Sequence, residues 1–448
     1  MKDLTQGSEG KLIFNFALPM LIGNVFQQLY NTVDSIIVGN TIGKEALAAV
    51  GASFPIIFLL VSLIMGVTMG ATILIAQFFG ARQMDEVKRT IDTTYLFVFF
   101  AALGATALGL ATSGPILRLL KTPAEIFPLA KEYLDIIFAG IIVMFGYNTI
   151  SAVLRGLGDS LTPLYFLIIA TVVNILLDLL FIKVFHWGVA GAAWATVIAQ
   201  GVSFLLGLIY LHKTHELFVF NLKKISFDRR LFLAGLKIGL PSGIQQMLVA
   251  SGMMALTRIV NGFGTNAVAA YTAAGRIDSF ASMPAMNLSV ALSSFVGQNL
   301  GANKPERVKK GYLATLGMAT LISLTITLTV IFFGPQLVAI FNQDPDVIAI
   351  GSNYLVIVGS FYIIFSTMFV TNGVLRGAGD TLIPMFFTVC SLWLIRVPLS
   401  AFLAQRMDTN GIWWGIPIAW TVGALLSVSY YRSGRWKRKV VVKIHPAS

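Results

Sequence analysis

The sequence is short of charge and of cysteine. Only 12% of its 448 residues are charged and 56% are hydrophobic, giving a mean hydropathy of +0.80. In a soluble globular chain about a quarter of the residues are charged, so an ordinary soluble protein is excluded. Cys390 is the only cysteine, and no intrachain disulfide is therefore possible.

Motifs for the common enzyme and metal-site classes are also missing. Residues 39–45, G-N-T-I-G-K-E, are one residue too short for a P-loop and lack Ser or Thr after the lysine. The sequence contains no zinc-binding, nucleophile-elbow or paired-aspartate prenyl-type pattern. These absences disfavour a membrane enzyme, and we expect no metal and no cofactor. Any transport is expected to use an ion gradient rather than ATP hydrolysed by this chain.

Long apolar segments dominate the sequence. About 20 apolar residues form a helix that crosses the ~30 Å hydrocarbon core of a bilayer, and windows of this kind recur along the whole chain. The sequence therefore predicts an all-α polytopic membrane protein with twelve transmembrane helices. The predicted spans are 11–38, 50–78, 91–113, 127–154, 163–185, 189–211, 232–258, 267–297, 312–334, 349–374, 384–405 and 411–431.

The net charge of +12 is unevenly distributed. Most of the 32 Lys and Arg residues lie in the two tails and the even-numbered loops, and few lie in the odd-numbered loops. This asymmetry is the positive-inside rule, which predicts a plasma (inner) membrane protein with both termini in the cytoplasm. We read the basic tail as an anchor at the bilayer surface, not as a nucleic-acid contact.

The chain is an internal duplication. Residues 153–163 recur as residues 374–384 with eight of eleven positions identical, and residues 77–88 match 298–309 at the same offset of 221. Six spans per half give both halves the same orientation, as in transporters whose repeats are related by an axis along the membrane normal. We therefore predict an amino-terminal lobe (1–211), a linker (212–231), a carboxy-terminal lobe (232–431) and a basic tail (432–448). Cargo is expected in a cleft between the lobes.

A stripe of polar residues on the first span ends in an acid. Asn24, Gln27, Asn31 and Asp34 are spaced three, four and three residues apart, so they share one helical face. An ionisable residue inside a span costs about 2.5–3.5 kcal/mol on insertion scales, which makes it a candidate for function. The stripe is predicted to face the bundle interior or a wet cavity.

The fifth span carries a second acid. Asn174 and Asp178 are four residues apart on one face, and with Asp34 they suit a proton or cation site. The alternative is that each acid only joins helices through hydrogen bonds. At the repeat offset, Asp34 maps to Ala255 or Leu256 and Asp178 to Leu399, so this site is predicted only in the first half.

Four further groups of residues invite interpretation. Arg396 is expected to find Asp278 or a backbone carbonyl and to act structurally. Residues 66–70, G-V-T-M-G, predict close helix packing. The duplicated L-R-G-x-G-D-[ST] segments predict structural turns or gates at the cytoplasmic helix ends, with Asp as helix cap and Arg near helix-end carbonyls; their residues are Arg155, Asp159, Arg376 and Asp380. Candidates for lining a substrate cavity are Asn24, Gln27, Tyr30, Asn31, Met65, Met69, Met283 and Met286.

With these features the chain resembles the MATE (multidrug and toxic compound extrusion) family, and its DinF-like branch in particular. In proton-coupled members a cation site is built by an aspartate on the first helix, an Asn-x-x-x-Asp pair on the fifth and a threonine on the sixth. Those positions match Asp34, Asn174, Asp178 and Thr196. The proline fifteen residues before the first aspartate, a proposed hinge in the family, matches Pro19.

The resemblance implies a monomeric secondary antiporter that exports lipophilic organic cations, drugs among them, in exchange for protons by alternating access. A sodium-coupled exporter of the NorM-like type is the first alternative. The position of its seventh-helix glutamate corresponds to Val249 here, which favours protons. A lipid-linked precursor flippase of the same superfamily is the second alternative. It would need several cations in its cleft, whereas the paired ionisable groups here are acids.

Overall fold

The fold is helical throughout the part of the chain that the computed structural model describes, residues 2–214 and 226–442. The predicted linker lies mostly outside these residues, as does the tail beyond residue 442. These described residues form fourteen α-helices. They are α1 (Glu9–Thr41), α2 (Lys44–Gly80), α3 (Met84–Leu119), α4 (Phe127–Ala139), α5 (Ile141–Gly156), α6 (Leu161–Asp178), α7 (Gly188–Thr214), α8 (Arg229–Asn261), α9 (Thr265–Gly301), α10 (Pro305–Ala339), α11 (Pro345–Gly359), α12 (Tyr362–Gly377), α13 (Leu382–Val389) and α14 (Val397–Arg432).

These helices account for the predicted spans. Among the described residues, eight helices are long and apolar enough to cross a membrane, or up to ten if the bent pairs α4–α5 (52°) and α11–α12 (49°) each count as one span. The bent pairs occupy equivalent places in the two repeats. The continuous stretch from α13 to α14 breaks at Met407 and Asp408, where the backbone leaves helical geometry, between the two last predicted spans. The predicted class, a polytopic all-α membrane protein, is confirmed.

The chain forms two compact units whose boundaries fall inside helices. The amino-terminal unit contains residues 1–2, 19–75 and 83–240. The carboxy-terminal unit contains residues 3–18, 76–82 and 241–448. The boundary crosses α1 at Pro19 and α8 at Pro241, the two prolines that the repeat pairs with a slip of one residue. Proline lacks a backbone N–H and weakens the helix around it, so each boundary coincides with a locally softened turn.

Glycines hold the start of α8 in the amino-terminal unit. A Cβ atom on Gly70 would overlap the carbonyl oxygen of Gly235, and one on Gly239 would overlap that of Gly66. The predicted close packing at residues 66–70 is thus confirmed, with the first turns of α8 as the partner. Arg230 adds an ion pair to Glu86 at 2.6 Å.

A second glycine contact lies in the carboxy-terminal unit, between the end of α2 and the end of α9. A Cβ on Gly80 would overlap the carbonyl oxygen of Gln298, and a Cβ on Gly301 would overlap that of Gln77. The contact is reciprocal because the two glycines, like the two glutamines, are 221 residues apart in the sequence. The backbones of the two helices touch with no side chain between them.

The same two glutamines anchor both ends of the described chain. The Gln298 side-chain oxygen accepts from the backbone N–H of Leu4 at 2.9 Å, and that of Gln77 accepts from Val441 N–H at 2.9 Å. Leu4 is completely buried. Arg307 reinforces the first of these anchors through Glu9 at 3.1 Å.

The substitution Gln298→Ala is expected to loosen the amino-terminal segment. A buried backbone N–H that loses its partner carries the cost of a missing hydrogen bond, about 1–3 kcal/mol, and the segment should open more often. Hydrogen–deuterium exchange of purified protein should show faster exchange at Leu4 and Thr5 and an unchanged rate at Val441. Gln77→Ala is the matched control and should give the reverse pattern. Equal effects of both variants on both ends would contradict separate anchoring.

Candidate acid-pair site

Asp34 and Asp178 meet in the amino-terminal unit. Asp34 lies two turns before the end of α1, and Asp178 is the last residue of α6. The chain then continues as a π-helical segment, Leu179–Val184. Such segments are rare and frequently occur at functional sites. The carboxyl groups of the two acids lie within hydrogen-bonding reach of each other.

The surrounding polar groups orient Asp178. Asn174 and Asp178 are both fully buried. In the amide orientation that satisfies both of its ends, Asn174 donates to Asp178 Oδ2 at 3.0 Å and accepts from the backbone N–H of Thr196 at 3.3 Å. The Tyr30 hydroxyl donates to Thr196 Oγ1 at 3.1 Å. The structure therefore brings together Asp34, Asn174, Asp178 and Thr196, and adds Tyr30 from the same helix as Asp34.

Each acid retains a buried oxygen for which the described residues provide no hydrogen-bond partner. Asp34 Oδ1 and Asp178 Oδ1 are buried and have no hydrogen-bond partner among the described residues. Buried polar atoms are nearly always paired, so two orphaned oxygens in one cluster call for an explanation. Two ionised carboxylates within hydrogen-bonding reach repel each other, and either a shared proton or a bound cation removes the repulsion. The arrangement suits both.

Tyr133 of α4 also lies beside the acids, close enough for its hydroxyl to interact electrostatically with Asp34 and Asp178. The sequence pattern did not predict this tyrosine as part of the site. A signal was present, because Tyr133-Leu134 recurs as Tyr354-Leu355 at the repeat offset. Tyr354 is a hydrogen-bond partner of Asp278 in the carboxy-terminal unit. Each unit therefore places the same tyrosine next to an acid, although the acids come from different helices.

The other proposed residues lie apart from this cluster or on uncovered faces. Pro19 is half-buried inside α1, four helical turns before Asp34. The α1 residues Asn24 and Asn31 are exposed, and Gln27 is half-buried. Of the proposed cavity methionines, Met65 and Met286 are exposed and Met69 and Met283 are half-buried.

The duplicated turns differ in their contacts. Asp159 accepts from the backbone N–H groups of Leu161 and Thr162 at 3.1 and 3.0 Å, so it caps the start of α6. Asp380 is buried and accepts from the hydroxyl of Tyr430 at 2.6 Å.

The arginines of these turns also have side-chain neighbours. Arg376 donates to the side-chain oxygen of Gln245 at 3.2 Å. Arg155 lies close enough to the hydroxyl of Tyr147 for the two side chains to interact electrostatically.

Both halves of the chain match one family profile. The MatE profile matches residues 19–180 and again residues 241–402. The chain belongs to the MatE family. The first match begins at Pro19 and the second at Pro241, so the family unit starts at the two prolines that mark the boundaries of the compact units.

Relatives and solved structures agree with the MatE assignment. The probable multidrug resistance protein YpnP of Bacillus subtilis (strain 168) is 37% identical over 435 residues, covering 97% of each chain. Crystal structures of MATE in the bent conformation (TM-score 0.91, covering 97% of both chains) and in the straight conformation (TM-score 0.90, covering 98% of both chains) are each 26% identical to this chain.

The resemblance to MATE transporters and the two-lobe, twelve-helix fold class are thus confirmed. This MatE chain is a multi-pass membrane transporter of the multidrug efflux type and not an enzyme.

Proposed function

We propose that this MatE protein exports lipophilic organic cations in exchange for protons and that the Asp34–Asp178 pair is its proton site. The observation that carries the proposal is the close approach of the Asp34 and Asp178 carboxyl groups, each with a buried oxygen that has no partner among the described residues. One proton shared by such a pair leaves a single negative charge. Its loss leaves two charges that attract a cation.

Exchange follows if protons and the cationic substrate cannot both neutralise the pair. The site is reached from one side of the membrane at a time, so a proton entering from outside displaces the cation outward. One charge moving inward across 100 mV contributes about 2.3 kcal/mol. This offsets the cost of moving one monovalent cation outward, so accumulation is driven by the pH difference or by additional protons. In the proposed orientation the protein lies in the plasma (inner) membrane and both termini are in the cytoplasm.

Pro19 is the proposed hinge at which α1 bends in response to protonation of the acid pair. A change of charge at Asp34 alters its contact with α6, and α1 then has one weakened turn at which to bend, because Pro19 donates no helical hydrogen bond. Two observations support this role. The boundary of the compact units crosses α1 at Pro19, and a MATE of the same fold has been crystallised in bent and in straight conformations.

The coupling ion is tested in proteoliposomes of purified protein that report rhodamine 123 movement under imposed gradients. A proton gradient with sodium equal on both sides should drive dye transport, and a sodium gradient at equal pH and zero potential should not. An ionophore that collapses the proton gradient should stop transport within the same trace. Transport driven by sodium alone would replace the proton with Na⁺ at the acid pair. If neither gradient moves the dye but a lipid-linked precursor is translocated, the exporter proposal fails.

A further inference from the structure

The carboxy-terminal unit contains a cavity lined by charged and aromatic side chains. This cavity of about 360 Å³ opens among α8, α9, α11 and the π-helical segment Cys390–Arg396. Its volume falls within the range of about 300–1,000 Å³ typical of small-molecule sites. The residues that line it include Tyr271, Gly275, Arg276, Asp278, Tyr354 and Arg396.

Arg396 is the unusual member of this wall. It ends the π-helical segment, is 7% exposed, and its Nε is buried without a hydrogen-bond partner among the described residues. A guanidinium stays charged, and burying it without partners is costly. Arg276 of α9 also lines the cavity and adds a second positive charge.

Asp278 does not satisfy this cation. Its Oδ1 accepts from the hydroxyl of Tyr362 at 2.8 Å, and its carboxylate is also a partner of Tyr354. The charges of Arg396 and Asp278 interact, but no ion pair within 4.0 Å joins them in the described part of the chain. The direct pairing that the sequence suggested is therefore not formed. The carboxylate of Asp278 interacts with two tyrosines. The Nε of Arg396 has no hydrogen-bond partner among the described residues.

Aromatic and apolar side chains form part of the remaining cavity surface. Tyr271 stacks on the fully buried Trp413 with centroids 5.6 Å apart and planes 6° from parallel, and Tyr354 meets Trp413 edge-on at 5.0 Å. Met253 and Val260 complete the apolar side. The rigid ring stack offers a flat surface for an aromatic ligand beside the open guanidinium.

We propose that this cavity binds the carboxylate of an aromatic zwitterion or monoanion, with Arg396 as the binding residue. A carboxylate matches the planar N–H fork of arginine. A single negative charge is favoured over a phosphate dianion because the nearby carboxylate of Asp278 repels the second charge. The inference extends the proposed exporter to substrates that carry an acid group, and in that respect it rests on the proposed function.

The test compares two dyes that differ by one ester. Rhodamine 110 carries a free carboxylate, and rhodamine 123 is its methyl ester. Their binding to purified protein in detergent at pH 7 is measured by fluorescence polarisation, without any gradient. Arg396→Gln should weaken rhodamine 110 binding by about tenfold or more, the scale of a charged hydrogen bond, and leave rhodamine 123 binding unchanged. Arg406→Gln, which removes an arginine outside the cavity, should change neither.

A second variant fills the cavity and leaves its charges in place. A Cβ on Gly275 meets no atom within 4 Å, so Gly275→Leu should project into the open space and exclude rhodamine 110. Gly317→Leu is the matched control, since Gly317 on α10 has equally open surroundings and does not line the cavity. Gel filtration and thermal unfolding confirm that each variant is folded. This pair keeps the test decisive if Arg396→Gln is unstable.

Selective loss of rhodamine 110 binding in both cavity variants supports the site. Unchanged rhodamine 110 binding in folded Arg396→Gln or Gly275→Leu overturns it, as does an equal loss of both dyes. The binding assay involves no proton gradient, so its outcome is independent of the coupling proposal. Proton-driven rhodamine 123 export by the Arg396→Gln variant would show the exporter intact even where the cavity proposal fails.

Discussion

The substitution Asp34→Asn is expected to reduce proton-driven export of a cationic dye to the level of empty vesicles. Asparagine keeps the size and hydrogen-bonding capacity of the side chain but can neither take up a proton nor hold a negative charge. Asp178 then loses the acidic neighbour that lies within its hydrogen-bonding reach. The pair can no longer alternate between one and two charges, and exchange has no driving step.

The measurement is rhodamine 123 efflux from proteoliposomes under an imposed proton gradient, at matched protein content and after gel filtration. Asp135→Asn is the matched control. That carboxylate on α4 lies outside the pair, with Ser113 at 2.6 Å and Lys131 at 2.5 Å as its partners. Its loss should cost at most about 1 kcal/mol of stability, as for a partly exposed ion pair, and spare export. Gradient-driven export retained by Asp34→Asn would show that the pair is not the coupling site.

The second large effect is expected from adding one methyl group at Gly301. In Gly301→Ala the new Cβ would overlap the carbonyl group of Gln77, which is backbone and cannot rotate away. The ends of α2 and α9 must separate, at a cost of about 1–3 kcal/mol or more, as for overpacking elsewhere. Thermal unfolding of purified protein, followed through intrinsic tryptophan fluorescence, should show a midpoint several degrees lower. Gly80→Ala should behave in the same way.

Gly317→Ala supplies the control for this effect. It makes the same chemical change in a helix where a Cβ meets nothing within 4 Å. Alanine favours the helix over glycine by up to about 1 kcal/mol, so the midpoint should stay or rise. If Gly301→Ala is as stable as Gly317→Ala, the backbone contact of α2 and α9 does not contribute to stability as described.

Much of the fold could be predicted because it depends on local and periodic signals. Span positions follow from apolar length, and the break at Met407 lies where hydropathy falls between two spans. The cluster of Asp34 and Asp178 could be anticipated from shared helical faces and from the family pattern. The repeat marks Tyr133 without indicating its neighbours, and the π-helical segments follow from no local or periodic signal. They depend on which helices pack together and on a local change in hydrogen bonding that residue type does not encode.

The partner of Arg396 is a second feature that the sequence could not predict. The sequence indicated a costly cation inside a span and suggested the nearest acid as its partner. Whether that acid is available depends on Tyr354 and Tyr362, which approach Asp278 from two other helices, α11 and α12. Competition for one carboxylate among three helices is a tertiary property, and pairwise reading of charges misses it.

The prolines at 19 and 241 have a consequence for how the protein folds and unfolds. Residues 3–18 pack in the unit built mainly by the second half of the chain, and residues 226–240 pack in the unit built mainly by the first half. Neither half of the polypeptide therefore contains a complete unit of its own. Folding of the first unit must wait for the start of α8 to be synthesised. Helices α1 and α8 each contribute residues to both units. Unfolding of one unit should therefore also destabilise the other, so that both lose structure in one cooperative transition.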